Sequence, residues 1–115
     1  MYERKTPVTV ECGLHLFMEV MSGKWKINLV WCVYNEIIRP GDLQRKIPNA
    51  TRRVLEEQLK QLVHHGILSK KTYDLKPPKV EYSLTELGES LIPIIKSTAK
   101  WGEENREKLE KLIAN

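Results

Sequence analysis

The chain has 115 residues, of which 41% are hydrophobic and 30% charged, and a net charge of +4. That length fits one domain, and that apolar content excludes a disordered polymer. It contains no apolar run of about 18 residues that would span a membrane. The first residues lack the apolar core of a secretory signal, so the cytoplasm is the expected location.

Charge is unevenly spread. Residues 39–79 hold ten Lys or Arg against four Asp or Glu, a local +6, while the rest of the chain holds nine against eleven, a local −2. A basic middle between near-neutral ends suggests a surface for a polyanion, although a solvated face without a partner has the same composition. The two cysteines, Cys12 and Cys32, are too few for a disulfide framework and are expected to rest as thiols.

In chain order, Leu14, Phe17, Met18 and Met21 recur at three and four residues and predict a first helix. Residues 25–34 carry two apolar stripes, the pattern of a central helix buried on most sides. A short helix is expected over 42–47, with Leu43 and Ile47 four apart. Past Pro48-Asn49-Ala50, residues 51–65 form a longer one whose Leu55, Leu59 and Leu62 share a face. Asn49 or Thr51 is its expected cap, and Gly66 its stop. Residues 67–73 and 79–84 look extended, joined by Asp74-Leu75-Lys76-Pro77-Pro78, which is too long and irregular for a two-residue turn. Thr85 then caps a final long helix. Its stripe runs through Leu87, Leu91, Ile94, Ile95, Thr98 and Trp101 to Leu109, Leu112 and Ile113, and Pro93 must kink or split it. Helix, helix, short helix, helix, hairpin, long helix is the order of a winged helix-turn-helix: mainly α with a small β-hairpin wing.

In that architecture the second helix of the pair enters the major groove by its N-terminal residues. Thr51, Arg52 and Arg53 occupy that position, with Arg53 roughly opposite the leucine face. Arginine matches guanine O6 and N7 as a bidentate donor, and a helix N-terminus suits phosphate. Gln44, Arg45 and Lys46 on the preceding short helix are placed to hold the DNA backbone. Lys76 and Lys79 flank the prolines of the hairpin loop, where stiffness reduces the entropy lost on docking and lysines meet phosphate. A solvated hairpin edge guarded by lysines is the competing reading.

These residues resemble the HxlR-type winged helix-turn-helix regulators of bacteria and archaea, a MarR-like family. The resemblance covers residues 12–102. It rests on Gly23-Lys24-Trp25, on the specific run Pro77-Pro78-Lys79-Val80-Glu81-Tyr82-Ser83-Leu84-Thr85-Glu86-Leu87-Gly88, and on Trp101-Gly102. It implies a homodimer on double-stranded operator DNA, paired through the N- and C-terminal helices, here residues 14–21 and 91–101. It also implies a role for Cys12, which matches the family's N-terminal cysteine; in some members that thiol senses electrophiles or oxidants. Cys12 directly precedes the first helix. The chain departs from the family at Pro40-Gly41, where an aromatic is usual, at His64-His65, where an acidic pair is frequent, and at Gly13, which replaces a proline.

Other chemistries lack their residues. Cys12-x-x-His15 has ligand-like spacing, but zinc wants four ligands and no second spaced pair follows, so no metal and no cofactor are expected. Neither a nucleophile–base set nor a glycine-rich phosphate loop is present, and no enzymatic activity is expected. The alternative to a DNA-binding regulator is a winged-helix module that docks protein instead of DNA.

Overall fold

The computed structural model describes residues 12–114. At its centre lies α2 (Lys26–Tyr34), whose Leu29, Val30, Cys32 and Val33 are all buried, as the double stripe predicts. In front of it α1 (Gly13–Met21) inserts Met21 and leaves Leu14, Leu16 and Met18 outside. Next, α3 (Pro40–Lys46) begins two residues earlier than its apolar pair suggests. Proline at the first helical position has the right φ and lacks only an N–H that would have no partner there anyway.

The long middle helix, α4 (Arg52–His64), buries Leu55, Leu59 and Leu62. Of its two candidate caps the structure uses Thr51, whose Oγ1 accepts from the Val54 N–H at 3.1 Å. Gly66, at φ +73°, ends it; the chain then returns through the Ile67 N–H, which donates to the Leu62 carbonyl at 2.9 Å.

The wing is a two-stranded antiparallel sheet of β1 (Leu68–Tyr73) and β2 (Lys79–Leu84), in register from Leu68 opposite Leu84 to Tyr73 opposite Lys79. One face, through Leu68 and Tyr82, joins the core; the other carries Lys71, Tyr73, Lys79 and Glu81. The segment before α3 runs alongside, and the Tyr82 N–H donates to the Ile38 carbonyl at 2.9 Å.

The far end of the hairpin is pinned by Thr85 and Gly88. Thr85 Oγ1 caps α5 (Glu86–Glu89) by accepting from the Gly88 N–H at 3.0 Å, and its hydroxyl donates to the Gly66 carbonyl at 2.6 Å. A Cβ on Gly88 would stand 2.3 Å from the Ile67 carbonyl oxygen, so only glycine allows α5 to approach the α4–β1 turn this closely.

The expected long C-terminal helix is split twice, into α5, α6 (Ile92–Glu104) and α7 (Arg106–Ile113). Pro93 accounts for the first break, since it has no N–H for the helix ladder. The second falls at Asn105, whose side-chain amide donates to the Trp101 carbonyl at 2.9 Å and so competes with helical bonding. The expected apolar stripe divides as well. Leu91, Ile92 and Ile95 enter the core, while Leu87, Ile94, Trp101, Leu112 and Ile113 face out.

Candidate nucleic-acid interface

The turn between α3 and α4 sets where the first residues of α4 point. Gln44 braces it: its side-chain amide donates to the Ala50 carbonyl at 2.6 Å and lies 3.4 Å from that of Ile47. Its donors are therefore spent inside the protein, not turned outward as the sequence suggests. A second brace ties α4 to α2, where the Trp25 N–H donates to Gln58 Oε1 at 2.9 Å.

With the turn held, Thr51, Arg52 and Arg53 are all exposed. Arg52 leans toward the wing. Its Nε donates to Glu56 Oε1 at 3.0 Å, one helical turn on. Tyr82, beneath this pair, has its hydroxyl pushed above the ordinary tyrosine value, mainly by burial and further by Glu56, with Arg52 opposing. Arg53 lies on the other flank, where with Thr51, Val54 and Glu57 it lines a shallow depression. On α3, Arg45 pairs with Asp42, and Lys46 is exposed at the last turn.

Two depressions connect α4 with the wing. The larger has a volume of about 520 Å³; Arg52, Glu56 and Lys60 form its α4 wall, and Lys70, Val80 and Tyr82 its wing wall. The other, of about 420 Å³, brings Arg39, Arg52 and Lys79 together around Pro77 and Pro78. The start of α4 and the base of the wing loop thus share one surface. Lys76, at the loop itself, is exposed.

Lys79 is less free than its sequence position suggests. Its Nζ is 3.2 Å from Glu81 Oε2 and 4.9 Å from the centre of the Tyr73 ring. Glu81 also accepts from the Tyr73 hydroxyl at 2.9 Å and lies 3.8 Å from Arg39 Nε. The hydrogen bonds from Tyr73 and Lys79 hold its carboxyl below the usual carboxylate range, against a smaller opposing effect of burial. Sequence reading missed Arg39 and Glu81 as parts of this surface. The one available signal was Glu81 standing two residues from Lys79, on the same side of a strand.

Sequence reading also missed Lys26. It is 1% exposed, its Nζ donates to the Val20 carbonyl at 3.0 Å, and burial lowers its affinity for a proton while Glu19 raises it. Its stem lies against Gly23, where an added Cβ would stand 3.0 Å from Lys26 Cγ and Cδ. The Gly23-Lys24-Trp25 run is thus an architectural corner between α1 and α2.

Of the two thiols, Cys12 is exposed directly before α1, and Cys32 is buried, with burial pushing its thiol up and Lys46 opposing. Among the described residues, no three or more His, Cys, Asp or Glu side chains are grouped to hold a metal ion. None of the described helices is long and apolar enough to cross a membrane.

Comparison with known proteins places this geometry in a group. The chain is 45% identical over 91 residues to the uncharacterized HTH-type transcriptional regulator YkvN of Bacillus subtilis, covering 79% of this chain and 77% of that one. With the regulator YybR of the same bacterium it shares 39% over 104 residues, 90% of this chain and 83% of the other. Among solved structures, the redox regulator HypR in its reduced form superposes with a TM-score of 0.81 at 39% identity, over 87% of this chain and 99% of that one. The family model for the HxlR-like helix-turn-helix matches residues 20–110, and the chain belongs to that family.

Proposed function

We propose that this protein is a transcription regulator that binds operator DNA as a homodimer, in the cytoplasm. The observation that carries the reading is the shared surface of the α4 start and the wing base, with Arg52 lining the same depression as Arg39, Pro77, Pro78 and Lys79. In the bound state the first turn of α4 lies in the major groove. Arg53 and Thr51 face base edges, while Arg52 reaches a phosphate beside the wing. Arg45 and Lys46 hold the backbone on one side, Lys76 and Lys79 on the other. Gln44 serves as the brace that orients α4.

The homodimer is supported by large apolar side chains left exposed among the described residues. Leu14 on α1 is 65% exposed, Trp101 on α6 61%, and Leu112 and Ile113 on α7 64% and 80%. The Cα radius of gyration, 15.7 Å, exceeds the value of about 13 Å for a compact chain of this length. A two-fold partner covering these helices also supplies the second recognition helix that a palindromic site requires.

The test is an electrophoretic shift with DNA from upstream of the protein's own gene, repeated across salt. Binding that weakens steeply with salt is expected, because each neutralised phosphate releases counterions. Absence of a shift, or binding indifferent to salt, favours the protein-docking alternative.

A second reading, response to thiol-reactive compounds, draws on the exposed Cys12 and on the likeness to a protein described as a redox regulator. Its test is Cys12→Ser. If DNA release by diamide or a quinone is the same in the variant as in wild type, Cys12 is not the sensor.

A further inference from the structure

Glu81 stands at the junction of three elements: the segment before α3, the end of β1 and the start of β2. It contacts one group from each. Tyr73 of β1 donates to Oε1 at 2.9 Å; Lys79 of β2 and Arg39 stand 3.2 and 3.8 Å from Oε2. Across the register Glu81 faces Lys71, whose Nζ sits 4.8 Å from the centre of the Tyr73 ring. The Glu81 side chain is 20% exposed, against 34% for Lys79 and 55% for Arg39, so the carboxylate lies beneath the cations that face solvent.

An acidic group at this place opposes phosphate binding, and the hydroxyl and cation contacts orient the carboxylate toward the protein's own charges. We propose that Glu81 is a specificity-determining positioning residue: it holds Lys79 and Arg39 in internal pairs on DNA of arbitrary sequence and yields them to phosphate only when α4 is seated in its operator. This inference rests on the DNA-binding reading above.

The physical basis is competition for the same cations. On an arbitrary duplex, wing and helix are not both in register, and a phosphate near Lys79 must displace a carboxylate already 3.2 Å away. On the operator, contacts made by α4 fix the wing loop against the backbone, and the local phosphate concentration rises until exchange is favourable. The carboxylate therefore weakens sequence-independent binding more than it weakens specific binding. Discrimination rises while total affinity falls.

The experiment uses the full chain and two probes: duplexes selected from a random pool by the wild-type protein, and the unselected pool of the same length. Affinity is measured from about 50 to 200 mM salt, the range in which counterion release is readily read. Glu81→Gln keeps the shape and an acceptor for Tyr73 but loses the charge. It is expected to bind the unselected pool several-fold tighter, with a salt slope steeper by about one for each cation freed. Its preference for the selected duplex should fall by no more than that several-fold gain. Lys79→Met in the otherwise wild-type chain covers the case in which Glu81→Gln does not fold. It should weaken selected-duplex binding by more than it weakens binding to the unselected pool. The double variant Glu81→Gln/Lys79→Met should lose part of the added slope, which a merely structural role for Glu81 does not predict.

A folded Glu81→Gln with unchanged slope on the unselected pool overturns the proposal. So does a Lys79→Met that weakens both probes equally. Failure of the wild-type protein to bind or select any duplex overturns the DNA-binding reading itself, and this inference with it; the other two results leave that reading standing.

Discussion

The surface of α3, α4 and the wing differs from that of α1, α6 and α7 in what each has already satisfied. On the first, several charged groups have internal partners: Arg45 with Asp42, Arg52 with Glu56, and Lys79 and Arg39 with Glu81. On the second, Leu14, Leu16, Met18, Ile94, Trp101, Leu112 and Ile113 are left exposed among the described residues. Charges remain soluble while they wait for a ligand, and exposed ion pairs cost little to exchange. An apolar face gains by being covered at about 25 cal/mol per Å². The contrast separates a surface whose charges can exchange partners from an apolar one that gains by being covered.

The largest expected effect tests the scaffold that holds the two surfaces apart. Gly88→Ala forces a Cβ into the Ile67 carbonyl and should cost about 3 kcal/mol or more, read as a lowered urea midpoint. An unchanged midpoint would show that α5 can move away from the α4–β1 turn without penalty.

Next comes the apolar surface. Trp101→Glu should weaken self-association by about 100-fold, as expected of an aromatic anchor at the centre of an interface. Sedimentation equilibrium reads this directly, and circular dichroism should show the helices intact. A variant as dimeric as wild type would remove the α6 surface from the interface.

On the charged surface, Arg53→Ala should lower operator affinity by about tenfold to 100-fold, the cost of one base-reading arginine, with self-association unchanged. Arg52→Ala should cost less, since Arg52 must first leave Glu56, and should flatten the salt slope by about one. Equal losses for the two arginines would erase the distinction between reading bases and holding phosphate.

The smallest effect is one of pH. Burial, then Lys26, then His64 lower the His65 pKa below its ordinary 6.5, with Glu19 and a backbone contact opposing. Just below pH 6.5 the unfolded chain therefore binds more protons at this residue than the folded one. Its contribution to stability is complete above the ordinary value and declines as pH falls through the window beneath it. Thermal melts between pH 7.5 and 5.5 should show this decline, and His65→Gln should flatten it. A decline of the same slope in the variant would assign it to other groups.

Much of the molecule was decided by sequence alone, for local reasons. Periodicity set α2 and α4, a cap at Asn49 or Thr51 and the Gly66 backbone set the ends of α4, and 79–84 read as extended, because each depends on residues within a turn or two. The exposed positions of Arg52, Arg53 and Lys76 follow from the same local rules. What only the tertiary structure decided involves groups distant in sequence. Gln44 turned inward to the Ala50 carbonyl; Lys26 was buried beside Gly23, though lysine is almost never found inside; and Arg39, Tyr73, Lys79 and Glu81 met around one carboxylate. The C-terminal stripe was legible as apolar, but its division into a part facing the core and a part facing outward depended on how the breaks at Pro93 and Asn105 rotate α6 and α7. Periodicity specifies which side of a helix is apolar; the path of the chain specifies what that side meets.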